Sequence, residues 1–148
     1  MSIPFQIAID CADPTPLVEF WALALGYEPA PAPEGFATWR EWYLSVGVPP
    51  EELGAGDCCD RLQDPAGVGP RIWFQPVPEP KTTKNRLHLD ITISGGRDVP
   101  LDVRKERVRT HAALLEAAGA TQLRVLSEVA GHFGIVMADP ASNEFCVH

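Results

Sequence analysis

The sequence lacks any apolar run near the roughly 20 residues that a membrane-spanning helix needs, so no membrane partner is expected. The opening stretch MSIPFQIAID lacks the charged and apolar regions of a secretory signal, which sets the expectation of a cytoplasmic location. Its four cysteines, Cys11, Cys58, Cys59 and Cys146, form no C-x-x-C pair and no zinc-type spacing, so reduced thiols are expected. Cations are scarce: 12 Lys and Arg stand against 20 Asp and Glu, a net charge of −8. That balance favours solubility and excludes nucleic acid as the expected partner. One basic cluster, Lys81, Lys84 and Arg86, is too short to reverse it. Prolines are not lacking, but the 15 of them are spread along the chain, so no low-complexity linker divides it. A chain of 148 residues buries roughly 70% of its unfolded surface and folds without disulfides.

What is present is a pattern that runs twice. PFQIAID (4–10) alternates as a strand. Asp13 can cap a helix that starts at Pro14, where the missing N–H costs nothing. Leu17, Phe20, Trp21 and Leu25 recur at helical spacing, and Gly26 stops the helix. TWREWYLSVG (38–47) carries a capping box in Thr38 and Glu41. Trp39, Trp42, Tyr43 and Val46 then fall on one helical face, leaving Arg40, Glu41 and Ser45 to water. PPEEL adds a turn, and CCDRLQ, DPAGVG and RIWFQPV predict a hairpin. The cycle restarts with RLHLDITI as a strand and a helix from Pro100 to Ala118. That helix is buried along Val103, Val108, Ala112, Leu115 and Ala118. TQLRVL, FGIVMA and EFCVH are the last strands. Asp64-Pro65-Ala66 and Asp139-Pro140-Ala141 open the same turn in both halves. The reading is a duplicated βαβββ unit, 1–80 and 84–148, within one domain over 1–148. Residues 38–56 are an insertion in the first copy.

IAIDCADPTPLVEFWALALGYEP, KTTKNRLHLDI and VMADPASNEFCVH carry a resemblance to the vicinal oxygen chelate superfamily, the glyoxalase, bleomycin-resistance and dioxygenase fold. Within it, the chain resembles the glyoxalase-like domains common in actinobacteria. The resemblance implies an α+β fold of two tandem βαβββ modules, a curled mixed sheet around a ligand cleft, and a homodimer. Metal-using members place His or Gln on the first strand of each half and Glu on the last. Those sites fall here on Gln6, His88, Cys146 and either Trp73 or Gln75. Matching IAID to LHLD would instead pair Ala8 with His88 and leave the sheet face unchanged. Trp73 cannot ligate a metal, and Cys146 replaces the hard-oxygen carboxylate. No cofactor or tightly held metal is therefore expected, although Gln6 and His88 could hold one weakly. Ser142 stands where the family commonly has Gly.

Strand alternation puts Arg86, His88, Asp90 and Thr92 on one face, and Leu87, Leu89, Ile91 and Ile93 under the helices. Gln6, Ala8 and Asp10 line up likewise, as do Arg71, Trp73 and Gln75, and Glu144, Cys146 and His148. The expected function is binding of a small, aromatic or polycyclic ligand. The cleft would be lined by Gln6, Trp73, Gln75 and Cys146, with Trp39, Trp42 and Tyr43 as a packed helix or a lid. The competing expectation is a lyase, isomerase or dioxygenase. There His88 acts as base or metal ligand, and Asp90 orients it or raises its pKa.

Overall fold

Asp13 accepts the Thr15 N–H at 3.0 Å, and Gly26 closes the same helix in the left-handed conformation at φ 67°. Two side-chain choices thus fix both ends of α1 (Pro14–Leu25). The computed structural model describes residues 1–129 and 131–148, with the backbone alone at 127–129. The chain divides into unit 1, Met1–Pro80, and unit 2, Lys81–His148.

Unit 1 runs β1 (Gln6–Cys11), α1, β2 (Glu28–Pro29), α2 (Trp39–Ser45), a short 3-10 turn (Pro50–Glu52), β3 (Arg61–Gln63) and β4 (Arg71–Pro76). Its sheet has the order β1-β4-β3-β2. β1 lies parallel to β4, with Gln6 opposite Arg71, Ala8 opposite Trp73 and Asp10 opposite Gln75. β3 pairs antiparallel to both β4 and β2. Alternation sends Ile72, Phe74 and Leu62 beneath α1, where they are buried with Leu17, Phe20 and Trp21. Leu25, expected in that stripe, is only half-buried.

Unit 2 repeats this with β5 (Asp90–Ile91), α3 (Leu101–Ala117), β6 (Thr121–Val129), β7 (His132–Ala138) and β8 (Glu144–Val147) in the order β5-β8-β7-β6. α3 packs on β6, β7 and β8. Val108, Ala112 and Leu115 meet Ile135, Met137, Phe145 and Val147 in its core. Both units are therefore βαβββ modules with mixed four-stranded sheets, and the α+β reading stands.

Three expectations fail in detail. The strand foreseen over RLHLDITI narrows to Asp90–Ile91. Ile91 is buried, but Leu89 is half-buried and Leu87 is 76% exposed. By the register β8 begins only opposite residue 88, and before it the Asn85 N–H donates to the Glu144 carboxylate at 2.9 Å rather than to a backbone carbonyl. The regular ladder begins only where the Cys146 N–H reaches the Leu89 carbonyl. Val46 and Val103 also leave their predicted buried stripes and are exposed. Arg40 is not left to water, since its guanidinium donates to the Gly54 carbonyl at 2.6 Å.

Candidate functional site on the helix-free sheet faces

Each sheet buries one face under its helix and leaves the other open. In unit 2 the open face is read from the register. Asp90 lies opposite Cys146, Cys146 opposite Val136, and Val136 opposite Arg124. These residues form one row across all the strands. The neighbouring row runs Glu144, Ala138, Thr121.

His88 stands two residues before Asp90, and its Nδ1 is 3.2 Å from Asp90 Oδ1. The pair is about half exposed, with side chains at 44% and 53%. A carboxylate on Nδ1 sets the tautomer and leaves Nε2 to face a ligand. Cys146 is buried, and burial foremost, then the Asp90 charge, pushes its thiol above the ordinary value. A thiol shifted that way is protonated at neutral pH, a poor nucleophile and a poor metal ligand.

Glu144 is held by the Asn85 N–H and by Lys81 Nζ at 3.1 Å, and the Asn85 N–H foremost keeps its carboxyl below the ordinary value. This contact folds the Lys81–Lys84 stretch over the second row. It leaves an open cavity of about 410 Å³, lined among others by Lys81, Lys84, Thr121, Leu123, Ser142 and Glu144. His148 follows Cys146 by two residues, and its ring lies 5.6 Å from that of His132.

The open face of unit 1 is built differently. Arg61 lies opposite Trp73. Asp60, just before β3, is buried and accepts hydrogen bonds from Arg61 Nε at 2.8 Å, Trp73 Nε1 at 2.9 Å and Tyr43 OH at 2.5 Å. The Arg61 guanidinium stacks 4.3 Å from the Trp39 ring centroid and 5.6 Å from that of Trp73. Burial alone would lower the Arg61 pKa, but Asp60 beside it holds it above the ordinary value. Trp39 is buried and donates its indole N–H to the Ala30 carbonyl at 2.7 Å. Trp42 and Tyr43 are half-buried, with ring centroids 5.0 Å apart.

Thr38 caps α2 by accepting the Glu41 N–H at 3.1 Å, and Glu41 reaches back to the Ala37 N–H. The insertion is thus tied to the sheet through Trp39, Tyr43, Arg61 and Asp60. Sequence reasoning foresaw the aromatic face and missed the Asp60–Arg61 pair that receives it. The only signal was two adjacent charges at the start of an apolar hairpin strand.

The structure therefore brings His88 and Asp90 together, with Cys146 beside Asp90. It separately gathers Trp39, Tyr43 and Trp73 around Arg61, with Trp42 against Trp39 and Tyr43. Gln6 is exposed on β1 and Gln75 is half-buried on β4.

A metal centre does not fit these side chains. Among the described residues no three His, Cys, Asp or Glu converge as a ligand set. The Trp73 indole can only donate and already does so to Asp60, and beside the free Nε2 of His88 the described residues offer no convergent set of ligands.

A family model described as a glyoxalase-like domain matches residues 6–148. No curated protein matches. A glyoxalase/bleomycin resistance protein/dioxygenase family enzyme from Burkholderia phytofirmans PsJN superposes with a TM-score of 0.58 at 18% identity, covering 96% of this chain and 94% of its own. A variant of the fosfomycin resistance protein of Listeria monocytogenes, solved with Mn(II) and 1S,2S-dihydroxypropylphosphonic acid, reaches 0.56 at 13% identity, covering 100% and 90%. A glyoxalase-related enzyme from Fulvimarina pelagi gives 0.55 at 14% identity, covering 99% and 86%.

Proposed function

From the premise that this chain belongs to the glyoxalase-like domain family, we propose that it binds a small molecule on the open face of unit 2 and does so without a tightly held metal. The observation that carries the reading is the cavity of about 410 Å³ on that face, a size that suits a small organic ligand. His88, Asp90 and Cys146 lie on the same open face but outside that cavity, the first two as hydrogen-bonding groups and Cys146 as a neutral, apolar surface. In unit 1, Trp73 offers a stacking surface whose orientation its bond to Asp60 fixes, with Gln6 and Gln75 on the same face. Trp39, Trp42 and Tyr43 act in this reading as packing that stiffens that surface.

The test is protein-observed NMR with a set of small organic fragments. Shifts are expected at residues 81–84, 121–123 and 138–144 around the cavity, and at 88–90 and 146 on the same face. Fragments that perturb only unit 1 would overturn the assignment. Elemental analysis of protein prepared without chelator or metal-affinity tag is expected to find no stoichiometric zinc, nickel, iron or manganese. About one equivalent per chain would overturn the metal-free reading.

The His88–Asp90 contact favours a second reading, an isomerase or lyase that moves a proton. With Asp90 on Nδ1, the free Nε2 of His88 can take a proton from a carbon next to a carbonyl and return it to the product. His88→Gln would then abolish turnover of a substrate whose affinity it barely changes. Loss of binding in His88→Gln, with no turnover by the parent chain, would favour the binding protein.

A further inference from the structure

We infer that the open face of unit 2 selects a ligand with an apolar body and an oxyanion at one end, and that Arg124 is the residue that selects it. The inference rests on the reading of this face as the ligand seat and names the class of molecule that the seat takes.

The row Asp90, Cys146, Val136, Arg124 crosses the whole sheet. At about 4.8 Å per strand, its ends are about 14 Å apart. One end carries the His88–Asp90 pair and the other an exposed guanidinium. Between them the floor is Cys146, kept neutral by burial, and half-buried Val136. A molecule laid along the row meets polar chemistry at both ends and hydrocarbon contact in the middle.

The charges on this face decide the sign of the ligand. Asp90 keeps its charge and accepts a hydrogen bond from His88 at the far end of the row. Glu144 is answered by Lys81 and the Asn85 N–H. Asp139 is buried and accepts the Ala141 and Asn143 N–H groups of its own turn. Among the described residues three cations have no carboxylate partner here: Arg124, Arg86, and Lys84, whose Nζ reaches the Asn85 carbonyl at 3.3 Å. In a chain of net charge −8, Arg124 thus stands as an exposed positive charge about 14 Å from the Asp90 carboxylate. Arg124 presents the planar fork that pairs with two oxygens of a carboxylate or phosphoryl group. Lys84, at the cavity rim, adds attraction without geometry.

NMR titration of the full chain with 2-naphthoate, 2-naphthyl phosphate and neutral 2-naphthamide tests this. Both anions are expected to shift amides at 90, 124, 136 and 146, and at least one to bind about tenfold or more tighter than the amide. The stronger of the two identifies the oxyanion as carboxylate or phosphoryl. Arg124→Gln should remove that preference and leave the amide unaffected, and Arg124→Lys should keep part of it. Equal affinity of acid and amide on this face, or a preference that survives Arg124→Gln, overturns the role of Arg124 while the seat stands. Shifts confined to unit 1, or none, overturn the seat and the inference together.

Discussion

Where the last strand of unit 1 presents Trp73, the last strand of unit 2 presents Cys146. The turns before them match at Asp64 and Asp139, and their parallel partners are Ala8 and Asp90. That register makes Gln6 the counterpart of His88. A large indole on an open sheet face is exposed unless something covers it. Unit 1 supplies the cover as the insertion, with buried Asp60 collecting the Trp73, Tyr43 and Arg61 donors. A small thiol needs no cover, and unit 2 keeps a cavity, a histidine and a guanidinium on the matching face. One topology thus yields one face fixed by its own hydrogen bonds and one face whose polar groups can meet a ligand.

The largest test of that contrast compares two carboxylates. Asp60→Ala strips three donors of their acceptor and leaves the Arg61 charge half-buried, so it should cost about 3 kcal/mol. Asp90→Ala removes a half-exposed partner of His88 and should stay within about 0.5 kcal/mol. Urea unfolding of both variants measures this. Equal losses would mean that the unit 2 face is as structural as that of unit 1.

Much of this contrast is legible in the amino-acid sequence. Asp13, Gly26 and Thr38 act within a few residues of themselves, so their caps read directly from it. Strand alternation likewise puts His88 with Asp90, and Cys146 with Glu144, because a period of two needs no knowledge of the partner strand; joining the two pairs takes the β5–β8 register. The Asp60 cluster is not legible. Its partners Trp73 and Tyr43 lie 13 and 17 residues away, and an Asp-Arg pair before a strand looks like a solvated turn. The short β5 is hidden for a related reason, since its partner β8 begins only opposite residue 88 and before it the side chain of Glu144, 59 residues on, takes the Asn85 N–H. Arg124 escapes notice because its face depends on a register shift between Gln122 and Arg124.

Alkaline stability should separate the units next. Both tyrosines, Tyr27 and Tyr43, lie in unit 1. Burial first and then the Asp60 hydrogen bond and charge push Tyr43 up to about 12 from its ordinary value of 10.0. These interactions favour the neutral phenol. Their stabilisation is therefore full below pH 10 and is lost as pH rises through about 12. Tyr43→Phe should cost about 1–1.5 kcal/mol at neutral pH. It should also flatten the alkaline decline, read by urea unfolding across that range. An unchanged decline would remove Tyr43 from the unit 1 lock.

The smallest expected effect sharpens the comparison at the turns. Asp64 accepts the Ala66, Val68 and Gly69 N–H groups, and Asp139 accepts those of Ala141 and Asn143. Three residues after each aspartate the chain turns left-handed, at Gly67 with φ 67° and at Ser142 with φ 67°. The N–H of each donates to the aspartate carbonyl, at 2.9 and 2.8 Å. At that position only the side chain differs. A Cβ at Gly67 would meet nothing within 4 Å, so Gly67→Ser carries backbone strain without a clash and should destabilise by about 1 kcal/mol. Ser142→Gly relieves the same strain but loosens the unfolded chain, for a net gain of about 0.5 kcal/mol. Paired thermal melts would show opposite signs. If Ser142→Gly instead lowered stability, the hydroxyl would be making a contact worth more than the strain. Since Ser142 lines the unit 2 cavity, that outcome would move it from a tolerated departure at a turn to a working part of the ligand seat.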